Sequence, residues 1–410
     1  MLDNEFRVRA VTSFLTLKPE DFHPNESGEI PLESKIATYA VFLKLVEQRL
    51  TDAGYEVQTL RIATNPFGEY LPTVSEPTKL KTRLSKFDAI LEKHSVEFCS
   101  LGPATRPEEV DCCSIIVSTS HRLSCSTDLI IDDITMARKA AECMKTISQL
   151  DGASHLKKGL GNFQFCAAAC CKPYTPFFPA ARSASLSSVD DFDLIPFALG
   201  LENGKLAQRL LSETKTVDNI GTTFRNGMAE ALSPLARLCE SIANESCGKY
   251  KYVGMDTSLN PSLDEGGSVA AAIELIDIVK QFGGRGSMAV AAEITKAIKS
   301  LPGIQCVGYS GLMLPVMEDD RLAELASKGE IDTTRLLALS SVCGVGLDTV
   351  PVSGHATIEE LMGLILDVGS LAFRYNKSLS CRLLLCPEQE GGDIANLHSP
   401  YMCECKIFSI

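Results

Sequence analysis

Three segments bring together residue types that do chemistry. In SVCGVGLD (341–348), Cys343 is followed by two glycines and, five positions on, by Asp348. An exposed turn there would present the thiol as a nucleophile or proton donor, provided that a cation or base lowers its pKa. His355 is the one histidine close in sequence. The competing reading is a buried cysteine packed as a small hydrophobe beside a tight turn. In MDTSLNPSLDEGGS (255–268), Asp256 is a candidate general acid or base and Ser258 a hydroxyl that orients a polar substrate. Gly266, Gly267 and Ser268 either present amides to an anion or cap the next helix. In GYSGLMLPVMEDD (308–320), Ser310 is a second orienting hydroxyl. Glu318, Asp319 and Asp320 either ligate a hard metal ion or complement a helix dipole, which is the commoner role for acids at a helix start.

Two cations suit anion recognition. Arg61, in LRIATNPF, binds a substrate carboxylate or joins a surface ion pair. Arg285, in GGRGS, either recognises an anion together with backbone amides or sits in a tight helix-to-helix connection. That string lacks the terminal Gly-Lys-Ser/Thr of a P-loop, so no nucleotide is implied. The histidines are scattered, and neither H-E-x-x-H nor a paired CxxC occurs, so no zinc site is expected.

The elements that must position these residues alternate between strand and helix. Strands are expected at 7–17, 56–64, 96–101 and 113–120, with helices at 32–53, 79–94 and 128–149. A small-residue strand at 162–171 precedes a long Pro-, Phe- and Ser-bearing loop at 172–188, a length that favours function. Residues 193–201 read equally as a strand or the start of a buried helix. Helices follow at 206–211 and 221–246, where Ser233-Pro234 permits a break or kink. A second series has strands at 250–255, 305–317, 347–352 and 379–386, and helices at 269–281, 288–300, 321–328, 333–341 and 358–376. The β-α order implies parallel pairing. The chain is expected to form one domain, 1–410, with halves meeting near 248 and 249.

A net charge of −13 repels phosphate backbones and disfavours nucleic-acid binding. The opening MLDNEFRVRAVTSFLTL carries acids where a leader would be basic, and the apolar run 358–373 is broken by Glu359, Glu360 and Asp367. Neither a signal peptide nor a membrane span is expected. Several of the 16 cysteines lie inside apolar runs, which favours free thiols in a reducing cytoplasm over disulfides.

The strings GMDTSLNPS, QFGGRGSMAVAAEIT, GYSGLMLPVMED, CGVGLDTVPVSG and FPAARSAS resemble the domain-of-unknown-function 711 family, also called uncharacterised protein family 0210. The resemblance extends over nearly the whole chain, with departures at KSLS, VPVSG and CPEQEGGD. It implies a fold similar to the pyruvate formate-lyase-like glycyl radical enzymes: a closed ten-stranded α/β barrel of two half-barrels, with a loop entering the interior. It further implies that Cys343 occupies a position comparable to the radical enzymes' loop cysteine. The terminus SPYMCECKIFSI lacks their radical-glycine motif, so radical chemistry is not implied.

The expectation is a cytoplasmic, cofactor-independent enzyme acting on a small polar or anionic metabolite. Cys343, Asp256 and Asp348 would be catalytic, and Arg61, Ser258, Ser310 and Arg285 would bind substrate. The alternative is a non-catalytic metabolite sensor or scaffold built on the same residues. Metal-dependent hydrolysis through Glu318 and Asp319 is a third reading. A homo-oligomer is compatible with the sequence.

Overall fold

The computed structural model describes residues 5–410 apart from Ser27, Ala153 and Asn396; the first four residues, which contribute to the reading of no leader, lie outside them. Nine strands form one sheet: β1 (Arg7–Leu15), β2 (Leu60–Thr64), β3 (Phe98–Ala104), β4 (Leu123–Asp128), β5 (Phe165–Ala169), β6 (Ile195–Glu202), β7 (Tyr250–Asp256), β8 (Gly346–Ser353) and β9 (Leu379–Cys386). Their order is β7-β6-β1-β2-β3-β4-β5-β9-β8. Strands β1 to β5 are parallel, as are β6 with β7 and β8 with β9. Direction reverses at β1/β6 and at β5/β9.

Parallel neighbours require crossovers, and amphipathic helices supply them. The helices Pro31–Asp52, Pro77–Lys93 and Pro107–Thr119 each carry proline in the first turn, where its missing N–H would have no partner in any case. Their apolar residues pack with Val11, Leu15, Ile62 and Cys99 of the sheet in the main core. The other sheet face is buried as well. There Phe14, Ala63, Cys166 and Ala168 meet Phe177, Ala180 and Ala181 of the long loop. That loop is tied across the sheet: Thr12 Oγ1 donates to Pro176 O at 3.1 Å and Ser100 Oγ to Ala181 O at 2.8 Å. Arg182 Nη1 reaches Asp128 Oδ1 at 2.5 Å. Among the described residues, no helix is long and apolar enough to cross a membrane.

Several elements differ from expectation. Residues 113–120 are the end of the helix Pro107–Thr119, not a strand. The Glu109 carboxylate accepts from Thr105 N and Arg106 N and so caps that helix start, and Val110, Cys113, Ile116 and Val117 bury one helical face. The true strand, β4, begins at Leu123, and the next helix begins at Ile134 rather than at 128. Residues 195–202 resolve the ambiguous stretch as β6. The helix Ile220–Glu245 runs through Pro234 without ending. The helix at 269 stops at Ile273.

The continuous ladder of a closed barrel is also not formed: β7 and β8, at the two ends of the sheet, are not paired with each other. The expected strand at 305–317 makes isolated parallel bridges instead, Met255–Cys306 and Leu259–Leu312 toward β7 and Pro315–Asp348 toward β8. The reason is local. Gly308 has φ +65° and Ser310 φ +40°, and the amides of Tyr309 and Ser310 turn to the Asp256 carboxylate rather than to a ladder. Gly311 and Gly344 come so close that a Cβ on the former would stand 2.6 Å from the latter's Cα.

Candidate functional site

A cavity of about 890 Å³ opens beside the starts of β1 to β4 and the end of β6. Its size lies within the range of small-molecule sites. Arg7 and Arg9 come from β1, Arg61 from β2, Phe98 from β3 and Glu202 from β6; Asp348 and Arg382 enter from β8 and β9. Phe177 and Phe178 of the inner loop form another part of the wall, and His398 to Tyr401 line it near the C-terminus.

The charged groups form a chain. Arg382 Nε donates to Asp348 Oδ1 at 2.6 Å and its Nη2 to Glu318 Oε1 at 2.9 Å. Arg9 Nη2 donates to Glu318 Oε2 at 2.6 Å, and Arg9 Nη1 lies 3.6 Å from Glu202 Oε2. Glu202 in turn accepts from Arg7, whose Nη2 is 2.8 Å from Asp264. Buried charges are tolerated when they are paired and hydrogen-bonded in this way. Arg382 also lies over the Phe163 ring, 4.6 Å from its centroid. Burial opposes its charge, but Asp348 and Glu318 more than offset that and raise its pKa.

Asp348 has a different balance. Burial raises its carboxyl above the ordinary range, Arg382 pulls it down, and Glu318 pushes it up again. Its Oδ2 has no hydrogen-bond partner among the described residues. The β8/β9 register shifts beside it, between Leu347 and Val350, and Thr349 adopts φ +43°. A β-branched residue in the left-handed region is strained, so the surrounding structure imposes this bend next to the carboxylate.

Arg61 stands apart. Its Nε donates to Thr59 Oγ1 at 2.8 Å, and its guanidinium lies 5.0 Å from the Phe178 ring centroid and 5.4 Å from that of Phe98. No carboxylate pairs with it among the described residues. Burial, and then the neighbouring Arg9, push its pKa down to about 9. It is nevertheless charged at neutral pH, since a guanidinium holds its proton strongly.

Of the residues expected at a site, Arg61 and Asp348 line this cavity; Asp256, Ser258, Ser310, Cys343 and Arg285 do not. Asp256 is fully buried, and its carboxylate accepts from Ser258 N at 3.0 Å, Ser258 Oγ at 2.5 Å, Tyr309 N at 2.8 Å and Ser310 N at 3.0 Å. Burial raises its pKa against those bonds. Ser258 Oγ accepts from Gly311 N, and Ser310 Oγ donates to Val307 O, so the group knits β7 to residues 307–311. Cys343 is fully buried in the main core, on the helix side of the sheet. The loop that crosses the other face is the one following Cys171. Burial raises the Cys343 thiol, with Lys377 acting the other way. Arg285 is exposed on the turn between Gly283 and Gly286.

Glu318, Asp319 and Asp320 do not converge. Glu318 faces Arg9 and Arg382, while Asp319 caps two helices through Ser268 Oγ, Val269 N and Leu322 N, and Asp320 points to solvent. Among the described residues no group of three metal-ligating side chains forms. Arg9 and Arg382 line the cavity without belonging to any motif of the sequence. The available signals were two arginines at i and i+2 in the first strand, and one arginine inside the apolar run CRLLLC, since a charge in a buried strand needs a partner.

The family model described as Uncharacterised ACR (DUF711) matches residues 1–398. Similar proteins, all named UPF0210 protein, include one from Sulfurisphaera tokodaii, 25% identical over 368 residues that cover 86% of this chain and 79% of that protein. One from Pyrobaculum aerophilum is 24% identical over 421 residues, 98% of this chain and 90% of its own length. One from Clostridium beijerinckii is 22% identical over 414 residues, 96% and 88% respectively.

Proposed function

The chain belongs to the uncharacterised ACR (DUF711) family, and on that footing we propose that it is a cofactor-independent enzyme that binds a small anionic metabolite in this cavity and moves a proton on it. The observation that carries the reading is Arg61, a half-buried guanidinium on the cavity wall with no carboxylate of its own among the described residues. An unpaired buried charge is costly, and an incoming anion relieves that cost. Asp348 is the acid or base. Its raised pKa keeps a protonated fraction available nearer neutrality than an ordinary aspartate does, Arg382 holds Oδ1, and Oδ2 is left for substrate. Arg9, Glu318 and Arg382 are positioning residues. Asp256, Ser258, Ser310 and Cys343 support the cavity from behind.

The test is a screen for anionic metabolites by thermal stabilisation, followed by turnover measurement. Arg61→Ala is expected to lose the stabilisation. Asp348→Asn is expected to keep it while turnover falls by about 10²- to 10⁴-fold. Full turnover in Asp348→Asn would end its catalytic assignment. A sensor is the second reading, favoured by the engagement of Glu318 and Asp348 with arginines as in a rigid binding wall. Stabilisation without any ligand consumption would select it.

We further propose that residues 305–315 act as the tenth strand and close the sheet into the barrel of pyruvate formate-lyase-like enzymes, within a single domain. The bridges to β7 and to Asp348 support this. A cytoplasmic location is supported by the burial of most cysteines as apolar core residues, with Cys247 exposed.

A further inference from the structure

We infer that the ligand of this cavity is a carboxylic acid bearing one negative charge and an aryl or medium acyl body; this rests on the cavity being the working site. The charge count comes first. On the wall, Arg7 faces Glu202 and Asp264, Arg9 faces Glu318, Arg122 faces Asp88 and Glu92, and Arg382 faces Asp348 and Glu318. Among the described residues, Arg61 is the one of these arginines that no carboxylate faces. One spare guanidinium matches one carboxylate, whose two oxygens fit its fork. A second anionic group would meet Glu318 or Asp348 and be repelled.

The body follows from the neighbours. The Arg61 guanidinium lies by the rings of Phe98 and Phe178, and Phe163 and Phe177 continue the apolar wall. Register fixes the direction. Arg61 stands opposite Phe98, and β4, which contributes Ser124, is one strand further. Two strand spacings are about 10 Å, and the two-residue offset of Ser124, which pairs with Ser100, adds to that, so a carboxylate on Arg61 has room along this wall for a six- to eight-carbon body. A sugar phosphate fits neither the single spare charge nor the aromatic wall.

The experiment is calorimetric titration of the full chain with phenylacetate, octanoate, acetate, malate and inorganic phosphate, beside neutral phenylacetamide. Phenylacetate and octanoate are expected to bind about tenfold or more tighter than acetate, malate and phosphate, because each buried methylene adds affinity. Phenylacetamide is expected to lose about tenfold or more, as are Arg61→Ala and Arg61→Gln toward phenylacetate. If phosphate or malate binds as tightly as phenylacetate in an Arg61-dependent way, the apolar-acid inference is overturned and the anion site stands. If no anion binds, or if both Arg61 variants bind phenylacetate unchanged, both fall. The comparison among ligands is made on the wild-type chain, so it does not depend on a variant's folding.

Discussion

At Asp348 three residues set one proton equilibrium: burial and Glu318 push the carboxyl up while Arg382 pulls it down, and the net shift is upward. The sign of the consequence follows by linkage. An unfolded aspartate titrates near about 3.9. Between that value and the raised folded one, the native state holds more protons than the unfolded chain, so this group's contribution to stability falls as pH rises through the window. Urea unfolding of the wild type and Asp348→Asn from pH 3.5 upward tests this. The wild-type advantage over the variant is expected to shrink as pH rises; an advantage constant with pH would show that Asp348 is not shifted. Cys343 shows the opposite limit of the same physics, since a thiol in the apolar core with its pKa pushed up has little thiolate to offer. Its glycine-flanked sequence is what an exposed nucleophile turn would also have, and burial is not written in the neighbours of a single cysteine.

At the scale of elements, the segment 305–315 links the interrupted strand ladder to the place where the Asp256 carboxylate is held. Its apolar residues suggest a regular strand, but Asp256 captures the amides of Tyr309 and Ser310 and replaces ladder bonds by charge-assisted ones. Asp256 is thus read here as a clasp between β7 and this segment. An asparagine can replace one carboxylate oxygen as acceptor, but its amide group would face an N–H and leave it unsatisfied. Asp256→Asn is therefore expected to cost about 2 kcal/mol in urea unfolding, with ligand stabilisation through Arg61 retained. Unchanged stability with lost turnover would instead make Asp256 a reacting group. The helix at 107–119 gives the converse lesson. Its sequence carries the start signals Pro107 and Glu109, but the β-branched run Ile115-Ile116-Val117 has the local character of a strand.

For the whole molecule, the open question of closure has a direct measurement. Leu259 N donates to Gly311 O, Val307 N to Met255 O and Met313 N to Leu259 O. If residues 305–315 act as a strand of a closed ring, these amides are expected to exchange with solvent as slowly as those of β1 and β6. Exchange at loop rates would leave the sheet open. The sequence by itself determined most of the β-α alternation, the parallel pairing within β1 to β5, and the family, because these depend on local periodicity, caps and long shared strings; the reversals at β1/β6 and β5/β9 were not legible in it. It also singled out Arg61 and Asp348 among its candidates, since a cation within a strand and an acid beside glycines stand out in one dimension, although it set Arg61 at the end of its strand and the structure sets it at the start. What only the tertiary structure decided is which charges meet. Arg9, Glu318, Asp348 and Arg382 are separated by as many as 309 residues in their contacts, and pairing across a sheet depends on strand order and register rather than on any local pattern. For the same reason, only the folded chain distinguishes Arg61, which no carboxylate faces among the described residues, from the other arginines on the cavity wall, which carboxylates do face.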